Sequence, residues 1–177
     1  MHHMTGISML KRILYVCTVI AIAAEIIVVS VKAQEKDIVD TLTAANNFNT
    51  FVKAIQVAGL IETLKGADPF TVFAPTDEAF AKFQRGTIGN LLKPENKQQL
   101  TSIMAHHLIA GKVKASDMLK MKKVKTFQGS YMKIKVKGKT IRVDNAHIIK
   151  TDMEASNGVI HAIDAVVMPP GKTKQDI

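Results

Sequence analysis

The chain predicts an α+β fold in a single domain, on three observations. Apolar residues recur with a helical period in the front half, they alternate with a period of two in the back half, and no repeat or low-complexity tract divides the chain. Helices first and strands later argue for segregated layers.

Asp37 to Asn47 reads as a first helix with Ile38, Leu42 and Ala45 on one face, and Asn49 to Ala58 as a second with Phe51, Val52, Ile55 and Ala58. Gly59 punctuates it, and Leu60 to Leu64 adds a helical turn that Gly66 and Pro69 end. Phe70 to Ala74 is a β-branched and aromatic run, a buried strand that Pro75 stops by removing a backbone donor. Thr76 then caps a helix whose first turn carries Asp77 and Glu78 and whose apolar stripe is Ala79, Phe80 and Phe83. Gly86 and Gly89 loosen the path. Pro94 opens a longer helix to about His107, with Leu100, Ile103, Met104 and His107 on one stripe, and the segment His106 to Val113 runs from that helix into a short strand.

The period then changes. Met132, Ile134 and Val136 alternate with Lys133, Lys135 and Lys137, and across a Gly138-Lys139 turn Ile141 and Val143 alternate with Thr140 and Arg142, a hairpin with one wet face. Ala146 to Thr151 is a further strand. Asn157-Gly158 supplies a turn, and one long strand follows until Pro169 and Pro170 end it.

The segments Phe70 to Phe80, His106 to Val113 and Asn157 to Pro170, in this order and at these separations, resemble the fasciclin domain over roughly residues 37 to 170. That resemblance implies a β-wedge of two small sheets with a layer of helices packed along one side, in a family of extracellular and cell-surface adhesion modules. One departure is visible: the middle motif usually reads Tyr-His, and His106 stands where the Tyr would be.

Residues 1–33 read as an export signal, with Lys11 and Arg12 before an apolar run that Glu25 splits and Val31-Lys32-Ala33 as a small-residue cleavage site. The second run, Ile26 to Val31, also allows an uncleaved anchor. Residues 34–170 are then the fasciclin-like domain and 171–177 a short polar tail. Secretion, the cell surface and the periplasm are the compartments this organisation allows. The single cysteine, Cys17, lies in the export segment, so stability must come from packing rather than disulfides. The formal charge is +9, of which the leader's Lys11, Arg12 and Lys32 against Glu25 supply +2, so a strongly basic domain remains and acidic partners are expected.

His107 and His161 both fall in family motifs and both face apolar neighbours. A buried imidazole needs partners, so the two are expected to form a structural polar latch with Thr76, Asp77 and Asp164 as candidate partners. No metal site is expected: His106 and His107 are adjacent on a helix and point about 100° apart. Ser102, Ser116, Ser130 and Ser156 lack a nucleophile elbow or triad spacing, and Gly-rich phosphate loops are absent, so neither enzyme activity nor a cofactor is expected.

Two surfaces remain. Asp152-Met153 stands where integrin-binding relatives of the resembled family carry an Asp-Ile pair, which makes it a candidate adhesion loop, although Lys150, Thr151 and Glu154 depart from those motifs. Lys133, Lys135, Lys137, Lys139 and Arg142, with Lys122, Lys123 and Lys125 before them, can gather on one sheet face as a polyanion surface. The resemblance and this charge together imply a binding module in cell adhesion, its partner a cell-surface or matrix protein, an acidic polysaccharide or an anionic envelope lipid. Nucleic acid is not expected, because few aromatics interleave with the basic residues. The alternative is a secreted or periplasmic carrier of an apolar small ligand such as a carotenoid, with Met104, Leu108, Met118 and Met121 walling a groove.

Overall fold

The computed structural model describes residues 36–171 apart from 67, 85 and 139. The export signal and most of the polar tail therefore lie outside the described residues. Three helices come first: α1 (Ile38–Ala44), α2 (Asn49–Ala58) and α3 (Ile61–Lys65). Strand β1 (Phe70–Pro75) leads into α4 (Asp77–Ala81), α5 (Thr87–Leu91), a 3-10 turn (Pro94–Asn96) and α6 (Lys97–His106). Then come β2 (Leu108–Ala110), α7 (Ala115–Met118), β3 (Lys123–Lys125), β4 (Tyr131–Lys137), β5 (Thr140–Val143), β6 (Ala146–Ala155) and β7 (Gly158–Ile163).

The expected cap forms at Thr76, and Asp37, read as the first helical residue, is a cap as well. Asp37 accepts from Asp40 N at the start of α1, and Thr76 accepts from Ala79 N at the start of α4. The segment around Gly86, read from sequence as a loosened path, instead starts α5, with Gly86 at φ 89° in the left-handed position before it. The last strand stops at Ile163 rather than at the prolines, and beyond it Val167 N–H is taken by the His107 ring instead of a neighbouring strand.

The seven strands form one ladder in the order β2-β1-β7-β6-β5-β4-β3, in which β1 and β7 are parallel and every other neighbour is antiparallel. β6 belongs to both halves of it. Register shifts at Ile148/Lys150 and Lys150/Met153 bend this strand, so that it pairs with β5 at its start and with β7 along its length. The ends of the ladder approach each other: Phe127 N, just past β3, donates to Leu108 O of β2. The result is the expected wedge of two sheet halves with helices alongside.

Two apolar clusters follow from this geometry. Val72 and Ala74 of β1 and Ile160 and Ala162 of β7 face α1, α2 and α6, packing on Ile38, Phe51, Ile55, Leu100, Ile103 and Met104. Phe73 and Ile163, on the opposite face of the same two strands, meet Met132, Ile134, Ile141 and Val143 inside the wedge. β1 and β7 are buried on both faces, which is why neither shows polar alternation.

Gly158 sits where this packing is closest. A Cβ there would lie 2.0 Å from Phe70 O and 2.8 Å from Ile38 Cδ1. Its neighbour Asn157 ties three elements together: Oδ1 accepts from Ile38 N, Nδ2 donates to Leu64 O, and its carbonyl accepts from Phe70 N.

Candidate binding face and buried histidines

His107 closes α6 and is fully buried. Nδ1–H donates to Ile103 O at 2.8 Å, Nε2 accepts from Val167 N at 3.1 Å, and the ring lies against Phe51 at 5.9 Å between centroids. The imidazole is therefore neutral and joins α6 and α2 to the segment after β7. Burial drives its pKa down to about 4, outweighing the opposing effect of the Ile103 bond, and the neighbouring His106 lowers it further.

His161, in the middle of β7, is buried in the opposite tautomer. Nε2–H donates to Val113 O at 2.9 Å, Nδ1 accepts from Asp152 N at 3.2 Å, and the ring stacks on Phe73 at 5.4 Å. Burial lowers its pKa as well, against the Val113 bond and the Asp152 charge. The partners of both histidines are thus main-chain groups. Of the side chains expected to meet them, Thr76 caps α4. Asp77 caps α2, accepting from Thr50 N at 2.8 Å and from Asn49 N and Nδ2, where Phe48 offers no side-chain cap of its own. Burial pushes the Asp77 carboxyl up, but these donors together hold it below its ordinary value. The Asp164 carboxylate accepts from His147 N at 2.7 Å and lies 3.2 Å from His147 Nδ1.

His106 is also fully buried. Its Nδ1 is 2.8 Å from Ser130 Oγ, while Nε2 has no hydrogen-bond partner and stands 3.7 Å from Asp144 Oδ2, beyond hydrogen-bond length. Asp144, at φ 49° in the turn after β5, accepts from Lys133 N at 2.9 Å. Burial raises the Asp144 pKa, and the adjacent His106 and Lys133 more than reverse that. His106 stands where a Tyr is usual, and its neighbours are not legible in the sequence, because Ser130 and Asp144 approach it only once the hairpin has folded.

Asp152 and Met153, expected in a loop, lie inside β6, since Met153 to Ala155 continue to pair with Ile160 to Gly158. Asp152 occupies the bulge at φ 53°, and its carboxylate accepts from Ala115 N at the start of α7. Met153 packs against the helix-side core. The groove set does not come together either. Met104 and Leu108 are in the helix-side cluster, Met118 is inside the wedge, and Met121 is exposed.

The basic residues do gather. In the β3-β4-β5 ladder Lys123 stands directly opposite Lys133, Lys125 opposite Tyr131, and Lys135 opposite Arg142, which places all six on one outward face. Lys137 continues the row, and Arg142 leads on to His147 of β6. Val124, Met132, Ile134, Ile141 and Val143 point the other way, into the wedge. Lys139 lies outside the described residues. Lys123 Nζ sits 4.6 Å over the Tyr131 ring. Residues 119–150 hold ten Lys and Arg against one carboxylate, Asp144, a net of +9 that equals the charge of the whole chain, because the other residues balance at fourteen of each sign.

Among the described residues no group of His, Cys, Asp and Glu could hold a metal ion, and no helix is long and apolar enough to cross a membrane. The fasciclin domain family model matches residues 46–169. Two proteins of the cyanobacterium Synechocystis are similar: sll1483 at 42% identity over 133 residues, covering 75% of this chain and 73% of that one, and sll1735 at 40% over 132 residues, covering 75% and 97%. The fold is shared with the domain pair of the insect cell adhesion molecule fasciclin I, at TM-score 0.57 and 21% identity over 73% of this chain and 48% of that one.

Proposed function

The chain belongs to the fasciclin domain family, and on that premise we propose that it is an exported binding module of cell adhesion. It grips acidic material at the cell surface or in the extracellular matrix through the outward face of β3, β4 and β5. The observation that carries this reading is the pairing of like charges. Lys123 against Lys133 and Lys135 against Arg142 each destabilise the sheet by a few tenths to about 1 kcal/mol. A face serving only solubility intersperses both signs, and this one has no carboxylate among its outward strand positions. The likeness to an insect cell adhesion molecule supports the same class of function.

Immobilised heparin is the probe. The wild-type chain should be retained at low ionic strength and released as added salt shortens the Debye length from ~10 Å at 0.1 M toward ~3 Å at 1 M. Lys133→Glu/Lys135→Glu/Lys137→Glu should pass through unretained while still folding. Equal retention of this variant would end the reading.

A further inference from the structure

Every large apolar side chain that is exposed among the described residues lies between residues 119 and 149: Leu119, Met121, Phe127, Tyr131, Val136 and Ile149. They fall within residues 119–150, the stretch whose net charge equals that of the whole chain. Tyr131 is opposite Lys125 on the basic face. Ile148 packs into the wedge, and Ile149, at the register shift of β6 two residues after His147, is exposed. Leu119 and Met121 lead into β3, and Lys122 O, next in the chain, accepts from Ile134 N of β4.

We propose that this face docks on an anionic lipid bilayer, with the lysines among the headgroups and Leu119, Met121 and Ile149 entering the interface. The inference rests on the basic-face reading and names the acidic surface it meets. A soluble polyanion is held by cations alone and gains nothing from Leu119 and Ile149 standing 57% and 58% exposed. A bilayer interface uses both features, because buried apolar area adds to the attraction between basic residues and acidic headgroups. Tyr131 suits the same boundary, with an apolar ring and a polar hydroxyl.

The test uses the full chain with vesicles of phosphatidylcholine alone and of phosphatidylcholine with phosphatidylserine. Binding to the neutral vesicles measures whatever residues 1–33 contribute, and the difference between the two sets is the quantity read. Wild-type chain should prefer the anionic vesicles, and Lys133→Glu/Lys135→Glu/Lys137→Glu should lower that preference about a hundredfold, at roughly fivefold per lysine. Leu119→Ser/Met121→Ser/Ile149→Ser should lower it on the order of tenfold or more while leaving heparin retention unchanged. The chain contains no Trp, so Leu119→Trp gives a single reporter whose emission should shift to the blue on anionic vesicles only. If the apolar variant binds vesicles like wild type and the Trp emission does not move, the bilayer inference fails while heparin retention keeps the basic-face reading. Loss of heparin retention in the wild type would sink both.

Discussion

Protonating His107 breaks a hydrogen bond, because its Nε2 lone pair accepts from Val167 N and a proton there would face the N–H. Its pKa is about 4 in the fold against an ordinary 6.5, so the unfolded chain takes up the proton first. The stability this group contributes is complete above about pH 6.5 and is lost as the pH falls toward 4, about 3 kcal/mol in all. His161 is shifted in the same direction. The melting temperature should therefore drop between pH 7 and 5. His107→Ala should melt lower at pH 7 and show a smaller drop on acidification. An unchanged melting curve for both His107→Ala and His161→Ala would remove the latch. Gly158 acts at the same scale through shape: with a Cβ 2.0 Å from Phe70 O, Gly158→Ala must push β1 from β7 and should lose about 3 kcal/mol in chemical denaturation. A loss below 0.5 kcal/mol would mean that the strands can separate freely.

Across elements, the basic ribbon sets stability against binding. Lys135→Glu replaces a repulsive pair with Arg142 by an attractive one on the same outward face. It should raise the melting temperature by a few degrees, in line with up to about 1 kcal/mol per pair, and weaken heparin retention. A variant whose melting temperature does not rise would show that Lys135 and Arg142 do not repel each other across the ladder. Much of this ribbon was legible in the sequence, since the alternation of Lys133, Lys135 and Lys137 with Met132, Ile134 and Val136 fixes which side is wet. The α4 cap at Thr76 and the end of α2 at Gly59 were equally readable, because local residues determine them. Long-range choices were not. The partners of His107 and His161 are main-chain atoms 4 to 60 residues away in sequence, and no residue type announces a carbonyl. Asp77 was read as an aid to its own helix and instead caps α2, 27 residues earlier. β6 outran its expected end at Thr151 because pairing with β7, rather than its own polar residues, keeps it extended.

At the scale of the whole molecule, the stretch 119–150 carries a charge equal to that of the full chain and, among the described residues, holds the exposed large apolar side chains, while the remaining residues are neutral in sum. Binding to acidic partners should then depend on where charge is removed and not only on how much. Lys53, Lys65 and Lys93 are exposed and lie among the helices and their connections. Replacing these three with Glu changes the net charge by the same amount as Lys133→Glu/Lys135→Glu/Lys137→Glu. The most direct measurement is the salt concentration at which each triple variant leaves heparin. The helix-side variant is expected to elute close to wild type and the sheet-face variant to flow through; coincident elution of the two would contradict a binding face on β3, β4 and β5.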